Sequence, residues 1–375
     1  MYIVPMRWAR ACRSLRLRIK DALKRHDLLV ALLITTVMIS IGIGLGWENN
    51  KLIPINPSTN AHYLQEPGNP LSFLSNWDGP IYLSLAVHGY TNAGQANFFP
   101  LYPLAVHIVH FILPSVLWSG LLVSWLCCVG AVYFYLQCIR QLYKTAGIAE
   151  RVRAVLFFVL FPTGIFLLAT YTESMFALFA LGAVYCALAK RWLPAALCSA
   201  LATATHGNGL FVIFLVGLIM LEAHERLRRV VVQAAIGCLG LLIYMLFLFV
   251  HTHNALAFVA AQSSHSSVHV NILHILSNIG TRNGIFFLLL VAACLYWWRR
   301  RKSFTLYTLL YAGIIFLGGR GLSGMGRYAL MAFPVQWMLY DYFRDKKIGY
   351  TVVLVLCSIG WAYLLLQYAG GYTGG

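Results

Sequence analysis

Apolar runs of membrane-spanning length recur along the chain from Leu28 to Tyr368, separated by short polar segments. The first, LLVALLITTVMISIGIGLGW (Leu28 to Trp47), lacks a small-residue cleavage site and is longer than a signal-peptide core. It reads as a retained anchor. The pattern predicts 11 spans, at roughly 28–47, 116–138, 154–171, 173–189, 192–205, 209–222, 230–250, 284–298, 304–319, 328–343 and 349–368. The expected fold is therefore an all-α polytopic membrane protein. A basic arm, residues 1–27, precedes a single membrane domain, residues 28–375, whose first polar loop, 48–115, carries short interfacial helices. The aromatic stretch Phe98–Leu113 is expected to lie along or dip into the interface rather than cross it.

The positions of the basic residues orient this pattern. They fall at Arg7–Arg25, Arg140–Arg153, Lys190–Arg191, Arg226–Arg229, Arg299–Lys302 and Arg344–Lys347. Placing all six clusters in the cytoplasm leaves only Lys51, Arg282, Arg320 and Arg327, of 28 basic residues, elsewhere. That arrangement allows a single crossing between residues 48 and 139, for which Val116–Cys138 is the candidate. It puts the N-terminus in the cytoplasm and loops 48–115 and 251–283 outside.

Composition agrees with this reading. The chain is 60% hydrophobic and 10% charged over 375 residues, too little charge and too much apolar surface for a soluble core of that size. The net charge of +17 orients helices against the membrane and does not signal nucleic acid. The nine cysteines lie in predicted spans or the N-terminal arm, with no CxxC or zinc spacing, so neither a disulfide framework nor a cysteine metal site is expected. His251, His253, His265, His269 and His274 share one loop without a carboxylate, and are read as interfacial rather than as metal ligands. No cofactor is implied.

Acids are few: 11 in all. Asp21, Asp27, Glu150, Glu222, Glu225, Asp341 and Asp345 stand beside basic clusters and are expected to be their solvated partners. Glu48, Glu66, Asp78 and Glu173 remain on the outer side, where an ionisable group at membrane depth is a functional candidate. Asp78 sits in a Trp-Asp-Gly-Pro turn, with Pro80 suited to a first helical turn. It can cap that helix, act as a base, or do both. Glu173 stands at the outer end of a helical hairpin, as a cap or as part of a site. Arg327, at the mouth of the bundle, suits either interfacial anchoring or a phosphate.

The segments WDGPIYLSLAVHGY and NFFPLYPL resemble the signature of the PIG-V mannosyltransferase family and its prokaryotic relatives. Three further segments follow in the family's order. They are FPTGIFLLATYTESMFALFAL, with Thr172 where Ser is usual; NALAFVAAQ, with Ala255 for Pro; and SGMGRYALMAFP, with Gly326 for Pro. The family belongs to the GT-C glycosyltransferases, so the resemblance implies a GT-C-like bundle. It also implies inverting transfer of a mannose or similar hexose from a polyprenyl-phosphate donor to a glycan or glycolipid acceptor. It casts Asp78 as general base and Arg327 as a phosphate ligand. Glu173 and Gln262 would contact sugar or acceptor, and the signature residues Trp77, Tyr82, Tyr90, Phe99, Tyr102 and Tyr328 would line the substrate site.

A transporter or flippase for a lipid-linked sugar is the alternative, but it would carry midplane charges and paired repeats, which this chain lacks. A non-catalytic subunit is a third reading, and would leave Asp78 replaceable. The expected location is a prokaryotic plasma membrane, or the ER membrane in a eukaryote, with the site on the outer face.

Overall fold

The computed structural model describes residues 6–52, 69–264, 280–317, 322 and 324–372, and among them every regular element is helical. Four helices are long and apolar enough to cross a membrane: His26–Asn49 (the apolar part of Met6–Leu52), Val116–Leu142, Leu227–Thr252 and Lys347–Ala369. Each except Val116–Leu142 turns most of its surface outward. Leu33 (65% exposed), Ile243 (67%) and Ile359 (61%) face away from the protein. Apolar belts of this kind are stable only where lipid is the solvent, and the chain is an integral membrane protein.

The other predicted spans are shorter. Trp192–Thr205 and Gly209–Glu222 have 14 residues each and rise about 21 Å, against a hydrocarbon core of about 30 Å. Two predicted spans are broken. The helix starting at Ile148 stops at Val159, because Pro162 cannot continue it, and residues 160–172 run on in turns and a 3-10 helix, Gly164–Leu167. That irregular stretch is almost wholly buried against Val116–Leu142 and Glu173–Leu188, where protein groups satisfy its backbone: Ser124 donates to the Ala169 carbonyl at 2.8 Å. The predicted span at 328–343 likewise divides into Met325–Met331 and Pro334–Phe343 at Pro334. The stretch Phe98–Leu113 contains a ten-residue helix, Leu101–His110, of about 15 Å, too short to cross.

Val116–Leu142 forms the axis. It packs on Glu173–Leu188, on the first helix and on Leu101–His110. Elsewhere the helices approach at backbone distance through glycine: a Cβ on Gly240 would lie 2.0 Å from the Ala200 carbonyl oxygen.

One end of the bundle collects the basic clusters. Asp27, expected to be solvated, is instead fully buried. It accepts from Arg151 Nη1 at 2.6 Å and from Gln137 Nε2 at 2.8 Å, with Arg140 3.5 Å away. Burial forces the pairing, since an isolated carboxylate there would be prohibitively costly. Glu222 is also specifically engaged, accepting from the Ser303 backbone at 2.8 Å and its hydroxyl at 3.0 Å. Asp341 accepts from Tyr296 at 2.6 Å, with Arg300 and Arg344 nearby.

Candidate active site

At the opposite end from Asp27, three residues distant in sequence meet. Arg327 Nη1 donates to Asp78 Oδ2 at 3.0 Å, and its Nε lies 3.2 Å from Glu173 Oε1. Phe166 and Tyr171 lie beneath the guanidinium, with ring centroids 5.5 and 5.6 Å from its carbon.

Each member is delivered by a different break in the helical pattern. Asp78 precedes the helix Gly79–His88, with Pro80 in its first turn, yet its side chain makes no capping hydrogen bond. The carboxylate is turned to Arg327 instead, and the simple capping reading does not hold. Glu173 opens its helix straight after the buried irregular stretch and is 1% exposed. It is therefore no headgroup-facing cap. Neither of its oxygens accepts a well-aligned hydrogen bond from the described residues. The Arg327 contact is charge attraction without hydrogen-bond alignment. Arg327 sits in the short helix ended by the Pro334 break, and Thr163 Oγ1 fixes that helix by donating to the Gly326 carbonyl at 2.7 Å.

The loop carrying Asp78 is held rigidly. Tyr171 OH accepts from the Asp78 backbone N–H at 3.0 Å and donates to the Asn76 carbonyl at 3.1 Å. Asn76 Nδ2 donates to the Tyr368 carbonyl at 2.8 Å, and Thr170 N–H to that of Leu74 at 3.0 Å. Against this clamp Trp77 adopts φ +58°, a left-handed conformation a bulky side chain rarely takes. The strain, on the order of 1–2 kcal/mol, is held by the surrounding bonds and aims Asp78. Gly79 fits because a Cβ there would meet Thr170 Oγ1 at 2.7 Å.

Of the other expected site residues, Tyr82 and Tyr102 are buried in an aromatic stack beside this loop. Tyr82 lies edge-on to Phe98 and Tyr102, and Tyr102 OH bonds Ser124 Oγ at 2.8 Å. Burial and the nearby carboxylates of Glu173 and Asp78 push the Tyr82 phenol well above its ordinary range, so it stays protonated. Tyr90 and Phe99 belong to a separate cluster around Tyr244 and Phe258. Gln262 lies on the helix Ala257–Ser264, whose Ala257 and Ala261 pack into that same cluster. Tyr328 lies near Tyr311, with ring centroids 6.4 Å apart. Glu66, His265, His269 and His274 lie outside the described residues. No group of three or more metal-type ligands occurs among the described residues.

The structure adds a residue that sequence reasoning missed. His206 occupies the turn between Trp192–Thr205 and Gly209–Glu222, its ring 5.8 Å from that of Phe176, one turn along from Glu173. Its Nδ1 accepts from the Asn208 N–H at 3.1 Å, which leaves Nε2 as the protonated nitrogen of the neutral ring. Burial, and then the charge of Arg327, lower its pKa to about 3. A lone histidine between two apolar runs gives no sequence signal of this placement.

Comparisons with known proteins bear out the resemblance read from the motifs. A family model described as "Mannosyltransferase (PIG-V)" matches residues 57–227, which include Asp78, Glu173 and His206. A GPI mannosyltransferase 2 of Schizosaccharomyces pombe is 28% identical over 140 residues, 36% of this chain and 29% of that protein. A human GPI alpha-1,6-mannosyltransferase 2 is 31% identical over 150 residues, 37% of this chain and 30% of that protein. The matched stretch thus spans under a third of the length of these relatives.

Proposed function

We propose that this PIG-V-like chain is a membrane glycosyltransferase that moves mannose from a polyprenyl-phosphate donor to an acceptor hydroxyl. Its likeness over residues 57–227 to proteins named as mannosyltransferases supports the sugar and the reaction class. The observation that carries the reading is the Asp78–Arg327–Glu173 constellation, in which a partly exposed carboxylate is aimed by a strained, clamped loop.

Asp78 then acts as general base. It takes the proton of the acceptor hydroxyl as that oxygen attacks the anomeric carbon. The bond from that carbon to the phosphate oxygen breaks on the opposite face, and its electron pair leaves with the phosphate, giving inversion. Because polyprenyl phosphate is a competent leaving group, one base and a cationic surround suffice. Arg327 holds Asp78 in place through Nη1 and supplies positive charge beside the reacting atoms. Glu173, buried and without aligned donors, offers acceptor sites for sugar hydroxyls. His206, its ring 5.8 Å from that of Phe176, offers Nε2–H as a further neutral donor. The basic clusters at the far end of the bundle support placing this site on the non-cytoplasmic face.

The test is transfer from radiolabelled polyprenyl-phosphate mannose in membranes carrying wild type or Asp78→Asn at matched expression. The expected loss is roughly 10²–10⁴-fold. Equal transfer by both proteins removes Asp78 as base.

A further inference from the structure

At the basic end of the bundle, far from Asp78, the cations outnumber the acids that could neutralise them. Residues 299–302 lead from Arg282–Trp297 into Lys302–Leu317, and residues 344–347 lead from Pro334–Phe343 into Lys347–Ala369. The two stretches hold Arg299, Arg300, Arg301, Lys302, Arg344, Lys346 and Lys347, seven basic residues against the neighbouring Asp341 and Asp345, a surplus of +5. Three of the seven are drawn to one spot. Arg300 Nη1 and Arg344 Nη1 flank Asp341, 3.6 and 3.7 Å from its two carboxylate oxygens. Both distances are longer than a hydrogen bond, and the short contact to that carboxylate comes from Tyr296 OH at 2.6 Å. The arginines therefore keep donor capacity for a second anion.

Aromatic rings fix two of these cations in place. Lys346 Nζ stands 3.6 Å from the centre of the Tyr342 ring, and the Arg300 guanidinium carbon 4.5 Å from that of Tyr296. The two rings adjoin, edge to face, with centroids 6.4 Å apart. The Asp341 side chain beneath is 12% exposed and that of Arg300 59%, so the acid is covered while the cation faces outward. Asp345, 3.5 Å from Arg344 Nε, is 87% exposed and its attraction is screened by water. The surround of this cationic spot is apolar and open. Leu295 and Trp298 precede the first basic stretch, Ile348 follows the second, and all three are among the more exposed side chains of the protein. Tryptophan and tyrosine beside arginine and lysine mark the level where hydrocarbon gives way to headgroups. A phosphodiester there meets the cations while its acyl chains run along Leu295 and Ile348, and a headgroup ammonium is repelled by the surplus charge.

We propose that this rim binds the headgroup of an anionic phospholipid from the leaflet at the basic end, with Arg300, Arg344 and Lys346 holding the phosphate and Trp298 and Ile348 lying against the acyl chains. The site is separate from the Asp78–Arg327–Glu173 constellation and independent of the reaction proposed there.

The test is lipid binding to the purified full chain in nonionic detergent, read as one-lipid adducts by native mass spectrometry. Dioleoyl-phosphatidylglycerol is compared with dioleoyl-phosphatidylcholine, and folding of every variant is checked by gel filtration and circular dichroism. Wild type is expected to favour phosphatidylglycerol, and Arg300→Gln with Lys346→Gln to weaken that binding roughly fivefold or more while leaving phosphatidylcholine unchanged. Arg300→Lys with Lys346→Arg keeps both charges and is expected to retain most of the affinity. Arg226→Gln with Arg228→Gln removes the same charge from another loop at this end, close to where Glu222 holds Ser303, and is expected to change nothing. The proposal is overturned if wild type shows no preference between the two lipids, or if the Arg300 and Lys346 double variant binds like wild type. It is also overturned if the Arg226 and Arg228 variant loses as much, since a diffuse field then suffices, or if inorganic phosphate at matched ionic strength displaces the lipid, since the ligand is then a free anion.

Discussion

The contact between Arg327 and Glu173 should be worth far more than the shorter one between Arg327 and Asp78. At 3.2 Å and an effective dielectric near 20, the Glu173 pair attracts by about 5 kcal/mol before desolvation is counted. Glu173 is 1% exposed, so water scarcely screens it, whereas the Asp78 side chain is 37% exposed and its pair should contribute only about 1 kcal/mol or less. Arg327→Gln leaves a buried carboxylate without a counter-charge and is expected to cost roughly 3–5 kcal/mol. Glu173→Gln leaves Arg327 with Asp78 and should cost on the order of 1–2 kcal/mol. The double variant is expected to be more stable than Arg327→Gln alone, because it removes both buried charges together. The coupling energy should come to roughly 2–4 kcal/mol. The measurement is a double-mutant cycle by SDS-driven unfolding in mixed micelles, followed by circular dichroism. Additivity within about 0.5 kcal/mol would show that the two groups do not depend on one another, and would sink the electrostatic account of the site.

Burial and close packing set the outcome of four further substitutions. Asp27→Asn should destabilise the opposite end by about 3–5 kcal/mol, because Arg151 and Arg140 lose their shared carboxylate; a cost under 1 kcal/mol in the same unfolding assay refutes the burial argument. Gly240→Ala forces a Cβ onto the Ala200 carbonyl, which is backbone and cannot rotate away, so folded yield should fall sharply. At Gly44, which meets nothing within 4 Å, the same change should be silent in gel filtration. His206, held neutral with its pKa near 3, refuses a proton that the unfolded chain accepts below about pH 6.5. Native stability should therefore fall as pH drops from 6.5 toward 3, and His206→Gln should flatten that part of the slope in unfolding measured at stepped pH.

The sequence by itself determined the solvent and the chemistry types. Runs of apolar residues at spanning length can be hidden only in lipid, and that conclusion needs no coordinates. The motifs around Asp78, Glu173 and Arg327 also marked the three charges that meet, because so few acids occur in so apolar a chain. Helices such as Trp192–Thr205 and Gly209–Glu222 fell where their apolar runs predicted. What hydropathy could not distinguish was a lipid-facing helix from a buried irregular segment. Residues 160–172 are as apolar as a span, yet their backbone is satisfied by side chains from neighbouring helices, a long-range property with no local signature.

Charge pairing was hidden for the same reason. Asp27 sits 124 residues from the Arg151 that neutralises it, and Asp78 sits 249 from Arg327. Proximity in sequence made Asp27 look solvated and Asp78 look like a cap. Only the packing of Val116–Leu142 against its neighbours decided that one carboxylate would be sealed at the basic end. The clamp of Tyr171 and Tyr368 decided that the other would be turned away from its own helix and onto an arginine. In an interior without water, a charge must find its partner in three dimensions, and chain order does not say which one it finds.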